Sequence, residues 1–460
     1  MDPVKKYVQE QKDRFVKELA GFLRIPSVSA KSERREACRQ AADFLLQELG
    51  RLGFSTSLHE TPGHPIVTAS RMDDPAQPTV LIYGHYDVQP EEPLDLWTSP
   101  PFEPRIVNGN LYARGASDDK GQLYAHIKAV ETLIRTEGKL PVNVTFLLEG
   151  EEEIASTHLE AFIEENREIL QGDVAVISDS SQYGPGMPAI CYGLRGICAD
   201  EIRVQGANRD LHSGSYGGAV PNPCNVLCEI IAKLKDETGR IQIPGFYEDV
   251  LELEAWEREA FAALAGDDED FRRQLGVAGL HGEEGYTTLE RKWARPTLDV
   301  NGLFGGYSGE GAKTIIPAWA GAKITMRLVP NQQPDKIRHL FREYVRRVAP
   351  AYVTVSFVDH SGGGPVRIPR DAPFMNTAVQ ALEYGFGRKP VFIREGGSIP
   401  VVSTLERKLG LKTLLLGFGL PDDNAHAPDE KFSLADYERG ILTSARFLQL
   451  CAKTAGAETR

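Results

Sequence analysis

The chain has 460 residues, 41% of them hydrophobic and 25% charged, with a formal net charge of −13. That length is too great for one simple core and predicts two or three domains of ordinary globular composition. The acidic balance disfavours nucleic acid and anionic membrane surfaces, which recruit basic patches, and no run approaches the roughly 18 apolar residues that cross a bilayer.

Val4, Val8, Phe15, Val16, Leu19, Phe22 and Leu23 fall on one helical stripe, so residues 3–23 read as a packed amphipathic helix rather than a signal peptide, and the cytoplasm is the expected compartment. Beyond it, helices over 35–52 and 120–136 alternate with β-rich runs at 65–70, 79–84, 142–148 and 174–178. This alternation predicts an α/β fold, with a mostly parallel sheet and helices on both faces. Ligands are then expected at the carboxyl ends of the strands. From about residue 197 the texture changes. Residues 197–204 and 320–329 read as antiparallel strands, accompanied by helices near 222–235 and 334–349, and the acidic stretch 245–292 reads as surface helices and loops. After Gly362-Gly363-Gly364-Pro365 the helix–strand texture returns, with buried strands at 391–393 and 413–417. The expected organisation is a domain over 1–196 and 366–460, interrupted by an inserted α+β lid and dimerisation domain at 197–365.

The cysteines at 38, 191, 198, 224, 228 and 451 are scattered without a C-x-x-C pair, which suits reduced thiols in a reducing compartment. Cys224 and Cys228, four apart on a predicted helix, read as buried packing rather than as a thiolate pair.

Chemistry concentrates where apolar runs end. Val144-Thr145-Phe146-Leu147-Leu148 runs into Glu149-Gly150-Glu151-Glu152-Glu153. Carboxylates crowded at the mouth of a buried strand repel one another and resist desolvation, so a cation must balance them, yet the run holds no Lys or Arg. Upstream, Thr79–Tyr83 leads to Gly84-His85-Tyr86-Asp87, and Asp118 lies in Gly115-Ala116-Ser117-Asp118-Asp119-Lys120-Gly121. His, Asp and Glu converging without thiolates point to a hydrolytic metal site, with His85, Asp118, Glu152, Glu153, Asp179 and His426 as candidates. Each has a plainer explanation alone: a loop-capping His, a turn Asp, a solvated charge run. Their joint occurrence favours the metal.

Four motifs, His85-Tyr86-Asp87-Val88-Gln89-Pro90, Arg114–Gly121, Glu149–Glu153 and Ser178-Asp179, resemble in order those of the di-zinc aminoacylase/carboxypeptidase/dipeptidase family, metallopeptidase family twenty. Arg209–Gly214, Arg327–Pro330, Arg394–Pro400 and Gly419–His426 complete the set and look most like the cytosolic non-specific dipeptidase and carnosinase branch. The resemblance implies a bridging role for Asp118, with His85 and Asp179 on one metal and Glu153 and His426 on the other. Two zincs, three carboxylates and a bridging hydroxide make a neutral cluster, which meets the desolvation objection; manganese and cobalt suit the same donors. Glu152 would take a proton from the attacking water and pass it to the leaving amine. Asp87 would orient the His85 ring. The pattern Leu-Glu-Gly-x-Glu-Glu sets the register at 152 and 153, leaving Glu151 an extra acid.

The Arg327 guanidinium could clamp a substrate carboxylate bidentately, or pair with a lid acid instead, and Gly397 and Ser398 could offer an N–H and a hydroxyl to the same carboxylate or form no more than a tight loop. The resemblance implies that His212 stabilises the developing oxyanion across a homodimer interface in the inserted domain, with Thr314 contributing to the same site. The expected activity is hydrolysis of dipeptides with a free C-terminal carboxylate. The alternatives are an amidohydrolase removing acyl or carbamoyl groups from amino acids, and a metal-binding relative without catalysis.

Overall fold

The computed structural model describes residues 2–372, 374–397 and 399–458, leaving aside the side chains of Ser361 and of 454–458. The chain forms two compact units, one of Met1–Tyr192, Ile368–Ile393 and Pro400–Arg460, the other of Gly193–Arg367 with Arg394–Ile399. The segment from Arg394 to Ile399, expected within 366–460, therefore belongs with the second unit.

In the first unit the sheet runs in the order Ser55–His59, Ile66–Arg71, Asn143–Glu149, Thr79–His85, Val174–Ile177, Thr413–Leu415. Its centre is parallel, since Thr79–His85 lies parallel to both Asn143–Glu149 and Val174–Ile177, and Thr413–Leu415 to Val174–Ile177. The margins differ from the expected mostly parallel sheet. Ile66–Arg71 meets Asn143–Glu149 antiparallel, Ser55–His59 adds antiparallel outside it, and Leu415 faces Cys191 antiparallel. The central strands are apolar throughout, as strands covered on both faces must be, whereas the edge strand Ser55–His59 is half-exposed.

Helix Lys120–Glu137 is buried from Lys120 through Leu133 and packs on Thr79–His85 and on helices Pro3–Leu23 and Leu434–Glu458. Pro3–Leu23 begins where Asp2 caps Val4 N at 2.9 Å with Pro3 in the first turn, and its apolar stripe is buried. Phe22, Phe44 and Tyr124 join it to the neighbouring helices, Phe22 and Phe44 stacking at 4.9 Å.

The second unit is a four-stranded antiparallel sheet in the order Thr297–Gly305, Trp319–Leu328, Gly196–Gln205, Thr354–Gly363. Ala320, Ala322, Ile324, Met326 and Leu328 alternate onto one face, packed with Val226, Leu227 and Ile230 of helix Pro223–Ala232 and Ile337, Phe341 and Val345 of helix Pro334–Val348. Cys224 is half-buried against this core, but Cys228 is exposed, one turn along and rotated off the buried face, contrary to the packing expected of it. The stretch 245–292 contains helices Ala255–Leu264, Asp268–Leu275 and Thr288–Trp293, the last opened by a Thr287–Glu290 capping box.

Candidate metal centre

The parallel strands bring their carboxyl ends together. His85 ends Thr79–His85 and lies in register with Glu149, which ends Asn143–Glu149. Asp179 follows Val174–Ile177 by two residues, and Asp118 precedes helix Lys120–Glu137. His426 comes from the loop between Thr413–Leu415 and Lys431–Ser433. The latter strand pairs with Asn110–Tyr112, drawing that loop against the Asp118 loop. His426 itself is left-handed at φ 63°, a backbone conformation that costs a non-glycine residue about 1 kcal/mol or more and concentrates at functional positions.

Asp118 offers one oxygen to each side. His85 Nε2 stands 3.1 Å from its Oδ1 and 3.9 Å from Asp179 Oδ2. His426 Nε2 stands 2.8 Å from its Oδ2 and 3.3 Å from Glu153 Oε2. Two triads result, His85–Asp118–Asp179 and Asp118–Glu153–His426, and within each the donor atoms lie within 4.8 Å of one another. Oxygen and imidazole donors without a thiolate suit zinc, manganese or cobalt. Glu153 Oε1 is buried and takes no hydrogen bond among the described residues, a vacancy that a cation would satisfy.

Charge tells the same story. Burial, aided by the surrounding carboxylates, pushes Asp179 up to about 6, Glu152 up to about 8 and Glu153 up to about 9. For Asp118 burial acts in the same sense, but hydrogen bonds from His426 and His85 prevail and hold it below the usual carboxylate range. This many acids sharing one cavity resist ionisation unless positive charge enters it. The residues fit two divalent ions.

The crowded acidic run is sorted by its neighbours. Glu149 receives Tyr83 Oη at 2.5 Å and Ser156 Oγ at 2.9 Å. Glu151 turns to the other side, accepting His64 N at 2.9 Å and His158 Nδ1 at 2.8 Å. Gly150 lets the chain pass the Tyr86 ring, where a Cβ would come within 2.5 Å. Glu152 and Glu153 remain on the metal side. Glu153 enters a triad. Glu152 enters neither, although its charge is felt alongside His85, Asp179 and Asp118.

Asp87 supports this pair. Its Oδ1 accepts Glu152 N at 3.2 Å and its Oδ2 accepts Glu153 N at 3.1 Å. It also meets the His85 ring, whose Nδ1 lies 3.0 Å from the Asp87 main-chain carbonyl and 3.4 Å from Oδ1. Gln89, two residues on, donates to Glu153 Oε2 at 2.7 Å. Sequence reasoning passed over Gln89, although its alternation with His85 and Asp87 was a usable signal.

In the second unit, His212 pairs opposite Ile315 on a short ladder, and Ser213 N donates to Thr314 O at 3.0 Å, so His212 and Thr314 sit together, both exposed. His212 Nδ1 accepts Gly214 N at 3.0 Å, which leaves the ring proton on Nε2. Arg327 is half-buried on the sheet. Gly397 lies in an exposed bend, and Ser398 falls outside the described residues. Arg195, which the sequence did not single out, sends Nε to Gly396 O at 3.2 Å, while its buried Nη1 takes no partner among the described residues. Burial, and then the neighbouring Arg327 charge, bring it down to about 10.

A mixed α/β unit with two carboxylate–imidazole triads sharing one Asp at its strand ends is an arrangement that could hold the metal of a metallohydrolase. The chain belongs to peptidase family M20/M25/M40, whose family model matches residues 81–450. It is 36% identical over 458 residues to the Cys-Gly metallodipeptidase dug1 of Schizosaccharomyces pombe, covering 96% of both chains. It is 32% identical to the human Beta-Ala-His dipeptidase over 472 residues, 98% of this chain and 92% of that one. Among solved structures, the M20 family metallo-carboxypeptidase Sso-CP2 of Sulfolobus solfataricus superposes with a TM-score of 0.86 at 35% identity, over 95% of this chain and 99% of that one.

Proposed function

We propose that the protein is a metal-dependent dipeptidase acting on dipeptides with a free C-terminal carboxylate. The observation that carries the chemistry is the pair of triads with an unligated carboxyl, Glu152, next to ligand position Glu153. The substrate class is supported by full-length relatives named as dipeptidases.

In this reading His85, Asp118 and Asp179 hold one ion and Asp118, Glu153 and His426 the other, with zinc favoured over manganese or cobalt. When bound, the ions supply an activated water and polarise the scissile carbonyl. Glu152 accepts a proton from the attacking water and returns it to the leaving nitrogen, a task open to a carboxyl that enters neither triad. Asp87 keeps Glu152 and Glu153 in place through their main-chain N–H groups. His212, with its proton on Nε2, donates to the carbonyl oxygen as charge develops, with Thr314 beside it. Arg327, joined by Gly397, Ser398 and the Arg195 guanidinium, binds the substrate carboxylate.

A homodimer through the second unit belongs to the same reading. His212 and Thr314 are exposed, and the edge strand Thr297–Gly305 shows Val300 and Leu303 to solvent, so a second copy could cover that edge and receive His212. All six cysteines are free, which suits a cytoplasmic enzyme, and among the described residues no helix is long and apolar enough to cross a membrane.

The test is to assay metal-loaded protein with a dipeptide and with the N-acetylated form of its C-terminal amino acid. Turnover of the dipeptide is expected; turnover of the acyl amino acid alone would replace this reading with an acyl-amino-acid hydrolase.

A further inference from the structure

Glu430 is a fully buried carboxylate four residues beyond His426, and neither triad includes it. Its Oε2 accepts Arg114 Nη1 and Gly115 N, both at 2.9 Å, and its Oε1 accepts Ser117 N at 2.9 Å and Asp118 N at 3.1 Å. Four donors occupy the two oxygens, so the group is committed as an acceptor and is not poised to ligate a cation. Arg114, 1% exposed, reaches the other way and donates Nη2 to Pro90 O at 3.1 Å.

Three loops therefore meet at one ion pair. The His85–Pro90 loop is held through Pro90 O, the Arg114–Asp118 loop through three main-chain N–H groups, and the His426–Glu430 loop through Glu430 itself. Nearby, Asp423 accepts Ser117 Oγ at 2.9 Å, Leu420 N at 2.7 Å and Lys431 Nζ at 2.9 Å, fastening the same two later loops a second time. Each loop carries one candidate ligand: His85, Asp118 or His426.

We infer that the Arg114–Glu430 pair is a positioning device for the two-ion centre, setting the separation of Asp118 and His426 and so the affinity of the Asp118–Glu153–His426 triad for its ion. The physical reason is that Asp118 must face two sites at once. A small rotation of its backbone, which Glu430 fixes at the Asp118 N–H, moves one oxygen off a triad while leaving the other in reach. The His85–Asp118–Asp179 triad draws its remaining ligands from sheet strand ends and depends less on the pair. This inference rests on the two-ion reading above.

The experiment is calorimetric titration of metal-stripped protein with Zn2+ alone, alongside the melting temperature of each metal-free variant. Wild type should take up two equivalents. Glu430→Gln should bind the first within about 3-fold of wild type and the second at least about 10-fold more weakly. Arg114→Lys, which keeps the charge but cannot reach Glu430 and Pro90 O together, should show the same split and covers the case in which Glu430→Gln does not fold. Glu131→Gln breaks a buried pair with Lys128 and Arg14 away from the centre, so it should lower the melting temperature while leaving both binding steps as in wild type. Wild-type titration by Arg114→Lys and by any folded Glu430→Gln would overturn the inference, as would an equal weakening of both steps. Wild-type protein that takes up no zinc would remove the two-ion reading with it.

Discussion

Asp87 holds Glu153 by its main chain, Oδ2 accepting the Glu153 N–H at 3.1 Å while Oδ1 takes that of Glu152. One carboxylate thus fixes both acids of the pair and lies beside the His85 ring. Asp87→Asn should place an amide N–H against one of these donors and cost about 10- to 100-fold in activity or metal affinity. Wild-type kinetics and metal content in that variant would show that the contact has no functional weight.

Glu151, Glu152 and Glu153 should separate cleanly by mutation. Glu152→Gln should keep both metals and lose several orders of magnitude in kcat. Glu153→Gln should weaken metal binding. Glu151→Gln, which keeps only one of the two oxygens that serve His64 N and His158 and sets an NH2 donor against the other partner, should cost about 1–3 kcal/mol of stability but leave kcat near wild type. Loss of metal in Glu152→Gln, combined with loss of activity alone in Glu151→Gln, would move the base by one residue.

Chelation should destabilise the first unit as well as silence it, because the acids of the centre are buried and lose their counter-charge. Restoring divalent metal at about 1,000 times its Kd should recover roughly 4 kcal/mol per ion, read as a rise in melting temperature, together with activity. Unchanged melting after metal removal verified by elemental analysis would contradict this account.

His126 should make stability depend on pH independently of any metal. It is buried between Ser444 Oγ at 2.8 Å and Ser178 Oγ at 2.7 Å, and burial brings it down to about 3. Below about pH 6.5 the unfolded chain takes up a proton that the folded chain refuses. This group's contribution therefore falls with falling pH from 6.5 toward 3, by up to ~1.4 kcal/mol per pH unit. Denaturant unfolding of metal-free wild type and His126→Gln between pH 7.5 and 5 should show a flatter profile in the variant; identical slopes would refute it.

What could be read from the sequence was local. The strands Thr79–His85 and Asn143–Glu149 announce themselves as apolar runs, and the acids that follow them cannot be solvated cheaply, so a cation was implied before any fold was known. The polar edge strand Ser55–His59 has no apolar run to reveal it, and the antiparallel margins went unseen with it. Glu430 and Arg195 act through partners far away in sequence, where neither period nor spacing leaves a trace. Asp87 was noticed for its ring contact, but its hold on the Glu152 and Glu153 backbone arises only when two strand ends meet. Cys228 shows the limit of helical spacing, which gives a shared face but not the angle at which that face meets the core.

The strand Thr413–Leu415 lies beside Val174–Ile177, and the loop after it carries His426, so the sheet and the second triad both wait for the last part of the chain. A polypeptide still emerging from the ribosome, with its first 400 residues made, holds Asp118 and Glu153 but lacks their imidazole partner. On the two-ion reading such a nascent or truncated chain is expected to be inert toward peptides, so that the order of synthesis would keep hydrolytic competence from arising before the unit can close.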